Sequence, residues 1–304
     1  MTTIRYVEEL AMNACPSLAT YHQDGWTLKW ANGYTRRANS VYPLQMTSES
    51  IEESVRQCES FYFSHQLPTH FKLTSDSSLE SLDDYLEQQG YVYEGQSFLQ
   101  IIDIPSVTCS SVMMQVTEEA TVSEAWLKSF NAMNQSSQNV HEQKALYDTL
   151  SHTTCYFTAF DNGEIVGHGL VVYENGEKWV GLFQIAISPA HRQKGLGKAL
   201  VAHMLDWGTR HGAKKAYLQV LANNLPALRL YESLGFRKLY SYWYRTKHST
   251  NQNKVISSEK NYVTTLKRPP AKAGGFGHEM STTKVVTKTE VILKHLMLKQ
   301  AESD

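Results

Sequence analysis

The chain has 304 residues, 41% of them apolar, which is enough for one or two cores of ordinary domain size. Its formal charge of -1 gives no electrostatic reason for nucleic acid or an anionic membrane as partner, and neither is expected. Cys15, Cys58, Cys109 and Cys155 fit no metal-ligand spacing, Met1–Leu10 lacks the apolar stretch of a secretion signal, and no run reaches the ~18 apolar residues of a membrane span, so a cytoplasmic protein with reduced thiols and no metal is expected.

In chain order, the first zone runs to about Pro105. A strand is predicted at Trp26–Ala31, a helix at Glu49–Phe63, a strand at His70–Leu73 and a helix at Leu79–Gln89, whose Leu79, Leu82 and Leu86 share one face. Gly90 suits that helix's C-cap, and Phe98–Ile104 reads as an apolar strand. The small polar run Pro105–Ser111 suits a linker. Helical patterns follow at Thr121–Asn131 and His141–Leu150. Two Asn-Gly turns, at Asn162-Gly163 and Asn175-Gly176, then separate strands 155–160, 164–173 and 178–187; such turns match the twist of antiparallel pairs. A helix at 195–211 is stopped by Gly212, a strand at Ala216–Val220 leads to the helix Leu225–Leu234, Gly235 ends it, and Phe236–Arg245 is a last aromatic strand. An antiparallel meander followed by strand–helix–strand–helix–strand predicts an α/β (α+β) fold with a mixed, mostly antiparallel sheet flanked by helices. The expected division is residues 1–106, 107–248 and a polar tail, 249–304, with a short helix at Lys288–Lys299.

Two constellations carry chemistry. Arg192, Gln193, Lys194, Gly195, Leu196, Gly197 and Lys198 stand between an apolar strand and a helix. Two glycines permit a tight turn with outward amides, and the helix adds free N–H groups and the positive end of its dipole, a setting for phosphate. The run is neither a Walker loop nor the dinucleotide fingerprint, and in isolation it more often marks a plain strand–helix turn with surface cations. About thirty residues on, Asn224 suits an N-cap and Pro226 a first helical turn, with Ala227, Leu230, Tyr231 and Leu234 on one face. Periodicity alone makes Tyr231 a core aromatic.

Together, Arg-x-x-Gly-x-Gly before a helix and Asn-x-x-Ala-x-x-Leu-Tyr-x-x-x-Gly-Phe resemble the double signature of the GNAT superfamily of acetyl-CoA-dependent N-acetyltransferases, Gln/Arg-x-x-Gly-x-Gly/Ala and the Asn motif; this half looks most like the ribosomal-protein-alanine acetyltransferase type. The resemblance covers about Val112 to Arg245. It implies that Ile185, Ala186 and Ile187 offer backbone groups to the pantetheine arm of acetyl-CoA. It also implies that residues 193–198 hold the pyrophosphate, that Asn224 lies beside the arm, and that Tyr231 protonates the departing thiolate. The acceptor implied is a small-molecule or peptide amine, attacking directly in a gap between strands 178–187 and 216–220. Many relatives carry a Glu as general base where this chain has Gln219, and Gln184 across the gap is also uncharged. Glutamine orients a water or the acceptor but accepts no proton, so an acceptor of low pKa, such as an α-amino group at about 7.7–8.0, is favoured. A non-catalytic acyl-CoA-binding or regulatory module is the alternative.

The first zone resembles a degenerate copy. Trp30–Leu44 resembles the opening of tandem GNAT proteins, and Leu79–Tyr91 a worn form of the second signature, without a Gly-x-Gly loop. This half is expected to pack on the catalytic half without binding CoA. Arg36 and Arg37, beside Asn39 and Tyr42, either line an acceptor pocket for an acidic group or form a solvated turn. Alternation places Tyr242 and Tyr244 on one face of their strand and Trp243 on the other.

Overall fold

The computed structural model describes residues 3–46, 50–104, 114–174, 176 and 178–249, and these lie in one unit spanning Met1–Lys254. The predicted linker and the predicted tail helix fall outside the described residues.

The chain opens with α1 (Thr3–Asn13), absent from the sequence reading. Val7, Leu10 and Ala11 form its apolar stripe, but Glu8 sits in the middle of it, 3% exposed. Its partner, Lys72, is remote in sequence, so the stripe reads as broken. Lys29 Nζ closes the helix by donating to Met12 O at 2.6 Å and to Cys15 O, a cation at the negative end of the dipole. A hairpin of β1 (Ala19–Gln23) and β2 (Trp26–Trp30) follows, then β3 (Val41–Tyr42), α2 (Ile51–Ser64), β4 (Thr69–Thr74), α3 (Glu80–Gln88) and β5 (Val92–Asp103). The remainder is β6 (Gln115–Glu119), α4 (Glu124–Asn134), α5 (Val140–Tyr147), β7 (Thr153–Asp161), β8 (Glu164–Glu174), β9 (Trp179–Ile187), α6 (Leu196–Arg210), β10 (Lys215–Leu221), α7 (Leu225–Ser233) and β11 (Arg237–Lys247). Asn162 and Gly163 both take positive φ, 49° and 82°, as the tight turn between β7 and β8 requires.

All eleven strands join one sheet in the order β1-β2-β3-β4-β11-β5-β10-β9-β8-β7-β6. The succession β3-α2-β4-α3-β5 recurs as β9-α6-β10-α7-β11, and in each copy the first two strands run parallel. Glu80 and Leu225 open equivalent helices, and Val92 and Arg237 open equivalent strands at the same separation along the chain. The last strand of each half crosses into the other: β5 lies between β10 and β11, and β11 between β4 and β5, all antiparallel. β5 is therefore buried from both sides. Leu99 and Ile101 face a cluster with α1, while Ile102 and Ile104 face the core of α6 and α7.

The sheet thus has two sides where it matters. Leu182, Leu218 and Val220 pack with Leu200, Met204 and Tyr231 from α6 and α7. Tyr217, Tyr240, Tyr242 and Tyr244 pack with Val7 and Leu10 of α1.

Candidate active site

β9 and β10 pair only from Trp179–Lys215 to Leu182–Leu218, and beyond that row the register ends. β10 continues along β5, with Gln219 opposite Leu99 and Val220 opposite Phe98. β9 follows β8 instead, through a bulge: Phe183 faces Leu170 and Ala186 faces His168, so Gln184 and Ile185 share the space opposite one residue. Gln184 takes a left-handed φ of 51°. Two parallel strands with separate partners leave a gap whose β9 edge, Gln184 to Ile187, has backbone groups with no pairing to β10.

The loop after β9 leads straight to the cofactor-side helices. A single 3-10 turn, Pro189–His191, is followed by two left-handed residues, Gln193 at φ 62° and Gly195 at φ 78°. They deliver α6 with no side-chain cap and no acid in its first turn. Among the described residues the first amide of α6 to bond back is that of Ala199, to Gly195 O at 3.1 Å, so the amides of Leu196, Gly197 and Lys198 stay free, as at any uncapped helix start. By contrast α2, in the same place in the first half, is capped by Ser50 and carries Glu52 and Glu53 in its first turn. One helix start invites an anion; the other repels it.

The predicted cations divide. Arg192 Nε donates to Ile187 O at 3.2 Å and Lys198 Nζ to Ser233 O at 3.2 Å, so each ties the loop to a neighbour, while Lys194 stays exposed. A Cβ on Gly197 would stand 2.7 Å from Leu230 Cδ1, so this glycine lets α6 and α7 approach. Asn224 Oδ1 caps α7 by accepting from Ala227 N at 3.3 Å, and its amide NH2 stays at the exposed surface.

Gln219 and Tyr231 lie on opposite faces of the sheet. Tyr231, on α7, packs in the cluster of Leu218 and Val220, edge-on to Phe236, and is 8% exposed. Burial pushes its phenol up to about 12. Gln219 alternates to the α1 side, where its Oε1 accepts from Tyr242 OH at 3.1 Å. Gln184 is on that side too, donating from Nε2 to Tyr147 OH. Tyr34 OH donates to Tyr147 OH at 3.4 Å, and Gln143 Nε2 donates to Tyr34 OH at 3.3 Å. Burial first, then Tyr34, holds Tyr147 well above the usual phenol range. The rim on this face is therefore two glutamines, each held by a tyrosine hydroxyl. No local pattern announces this series of hydrogen bonds, because Tyr34, Tyr147 and Gln184 are joined only by the fold.

Arg36 and Arg37 separate as well. Arg36 donates to Glu94 at 3.1 Å and lies over the Tyr244 ring at the surface. Asn39 locks the turn, with Oδ1 accepting from Ala31 N at 2.9 Å and Gly33 N at 3.1 Å, and Tyr42 OH donates to Arg37 O at 2.7 Å. Among the described residues no group of three or more His, Cys, Asp or Glu could hold a metal ion, and no helix is long and apolar enough to cross a membrane.

Residues 1–245 match the family described as "Probable histone acetyltransferase Rv0428c C-terminal". A Bacillus subtilis (strain 168) protein named as the uncharacterized N-acetyltransferase YobR is 29% identical over 258 residues, 81% of this chain and 100% of that protein. The Escherichia coli (strain K12) ribosomal protein bS18-alanine N-acetyltransferase is 44% identical over 57 residues, 19% of this chain and 38% of its own length. Among solved structures, a GCN5-related N-acetyltransferase from Kribbella flavida superposes with a TM-score of 0.60 at 11% identity, over 80% of this chain and 94% of that one. A tandem GNAT protein from the clavulanic acid biosynthesis pathway gives 0.55 at 11%, over 69% and 75%.

Proposed function

The chain belongs to the GNAT superfamily of N-acetyltransferases, and from that premise we propose that it moves the acetyl group of acetyl-CoA to an amine by direct attack in a ternary complex. The observation that carries this reading is the parting of β9 and β10 after Leu182 and Leu218, with the uncapped start of α6 on the same strand's exit. Backbone groups of Ile185, Ala186 and Ile187 then suit the amide-bearing arm of the thioester. The free amides of residues 196–198, with Gln193, Gly195 and the exposed Lys194, suit a pyrophosphate. The Asn224 amide NH2 is a further donor toward the arm.

In the transfer an N–C bond forms, the C–S bond breaks, the amine gives up one proton and the thiolate gains one. An amide of the bulged β9 edge near Ile185, which faces the gap without a β10 partner, polarises the carbonyl. Tyr231 is neutral at every working pH and donates to the sulfur. Full transfer from a group near 12 to a thiolate near 8.5 is uphill by about 5 kcal/mol, so the phenol acts mainly as a hydrogen-bond donor to the growing charge. Gln219 and Gln184 orient the acceptor. The first half holds no acetyl-CoA in this reading. Leu86 stands where the second half has Tyr231, and the acidic, capped start of α2 stands where it has the loop.

Gln219, in place of a carboxylate, favours one alternative: a non-catalytic acyl-CoA-binding or regulatory module. Calorimetric titration with acetyl-CoA, followed by a thiol-release assay over a panel of primary amines, separates the two. Binding with amine-dependent thiol release is expected; binding without release selects the module.

A further inference from the structure

We propose that Arg37 is the anchor for a carboxylate on the acceptor, so that the amine acetylated is one that bears a carboxylate. This deepens the reading above and rests on it for the position of the gap.

Arg37 lies on the turn between β2 and β3, held from both ends by the Asn39 lock and the Tyr42 hydroxyl. The same turn reaches both sides of the acceptor-facing rim. Tyr34 bonds Tyr147, the partner of Gln184. On the other side Tyr42 OH donates to Arg37 O, the adjoining Arg36 lies 5.1 Å from the centre of the Tyr244 ring, Tyr244 packs edge-on to Tyr242 at 6.0 Å, and Tyr242 is the partner of Gln219. A guanidinium here is half-buried, yet among the described residues it makes no ion pair and no side-chain hydrogen bond. The side chains around this turn are largely aromatic, and burial holds the Tyr42 and Tyr244 phenols well above the ordinary range, so neither supplies a counter-charge. The nearby cations do not share this state. Arg36 has Glu94, Lys72 has Glu8, and Arg245 has Asp83 and Glu87.

A half-buried cation without its counter-charge keeps only part of its hydration, so a counter-charge that displaces this water is bound at a smaller desolvation cost than at an open surface. A carboxylate from the acceptor is such a counter-charge, and the planar fork of five donors matches it in two parallel hydrogen bonds. The charge has a second effect. A fixed cation near an ammonium disfavours its protonated form, and pairing the acceptor's own carboxylate removes what had stabilised that form. Both push the amine toward the neutral, attacking state in a site whose glutamines accept no proton, and the proton leaves to water.

The test is a calorimetric panel of L-amino acids, each against its own carboxamide, with ethanolamine phosphate as a third probe, on the full chain with and without CoA, alongside thiol release. Wild type is expected to bind at least one carboxylate about 10-fold or more tighter than its carboxamide, the worth of charge-assisted hydrogen bonds. Arg37→Gln is expected to bring the ratio near one, raising KM more than it lowers kcat. Arg37→Lys is expected to keep part of the preference. No carboxylate preference in wild type, or a preference that Arg37→Gln leaves intact, overturns the proposal, and so does tighter binding of ethanolamine phosphate than of any carboxylate. If Arg37→Gln melts without cooperativity, the wild-type pairs and Arg37→Lys decide, since a lysine variant that binds acid and amide alike is equally fatal. Carboxylate preference without acetyl transfer defeats the acetyltransferase reading and leaves this one standing; transfer to acids and amides alike does the reverse.

Discussion

Leu86 and Tyr231 accept the same hydrogen bond in two copies of one helix ending. Tyr91 N donates to Leu86 O at 3.0 Å past Gly90, and Phe236 N donates to Tyr231 O at 3.0 Å past Gly235. Both glycines are left-handed, at φ 78° and 95°, as the helix stop demands. The backbone of the signature therefore survives in both halves, while the side chain differs. Leu86 is fully buried in the first-half core; Tyr231 brings a hydroxyl to an otherwise apolar cluster. A phenol there gives packing nothing that a phenyl ring lacks, which is the ground for the donor role proposed for it.

Tyr231→Phe is accordingly expected to cut turnover on the order of 10²-fold, the lower range for general-acid assistance. Affinity for acetyl-CoA should stay within about twofold, and the melting temperature should not fall, because no hydrogen bond of the hydroxyl is seen among the described residues. Turnover at the wild-type level in steady-state assays would remove Tyr231 from the mechanism.

The pH dependence follows from Tyr231 and the two rim glutamines. With Tyr231 raised to about 12 by burial, no alkaline limb from it is expected below pH 10. With Gln219 and Gln184 at the rim, the acid limb should belong to the acceptor's amine. Profiles of kcat/KM for two acceptors of different amine pKa should therefore rise with pH and bend at two different values, each tracking its amine. A shared inflection near neutrality would reveal a general base on the enzyme.

How much of this was legible in the sequence depended on range. The turn from Ile185 to Lys198, the tight turn at Asn162-Gly163 and the stop at Gly235 are set by neighbours in sequence, and their residue types carry the geometry directly. α1 was hidden because Glu8, in its buried stripe, is made acceptable by Lys72 on β4. β5 reads as an apolar strand, but nothing local says that it enters the sheet between β10 and β11. Arg36 and Arg37 are adjacent and chemically identical, and only Glu94, across the fold, separates an exposed pair from a half-buried cation.

Gly197 tests whether the loop's glycines serve the ligand or the fold. A Cβ there would meet Leu230 Cδ1 at 2.7 Å, and that methyl ends a flexible side chain. Gly197→Ala is expected to destabilise by about 1–2 kcal/mol through overpacking, partly offset by the better helix propensity of alanine. Adding Leu230→Ala should relieve the clash and recover part of the melting temperature. If acetyl-CoA affinity stays low in the double variant, the glycine also admits the ligand; full recovery of affinity assigns it to helix packing alone.

Acid should weaken the fold through two histidines on opposite sides of the sheet's centre. Burial is the leading cause in both: it lowers His168, edge-on to the stacked Trp126 and Phe130, from 6.5 to about 4, and His70, beside Tyr244, from 6.5 to about 3, with Arg36 and His248 adding to the latter. Since the folded values lie below the unfolded one, their full contribution is present above about pH 6.5. It is lost as pH falls, down to about pH 4 for His168 and about pH 3 for His70, because the unfolded chain takes up protons that the folded chain refuses. At pH 5 each histidine should cost about 2 kcal/mol relative to pH 7.5, at about 1.4 kcal/mol per pH unit below 6.5. Urea unfolding at the two pH values measures the sum, and His168→Gln should shrink the difference by about half, whatever it does to stability at pH 7.5. An unchanged difference in that variant would mean that His168 titrates normally and that its burial against the two rings is not maintained in solution.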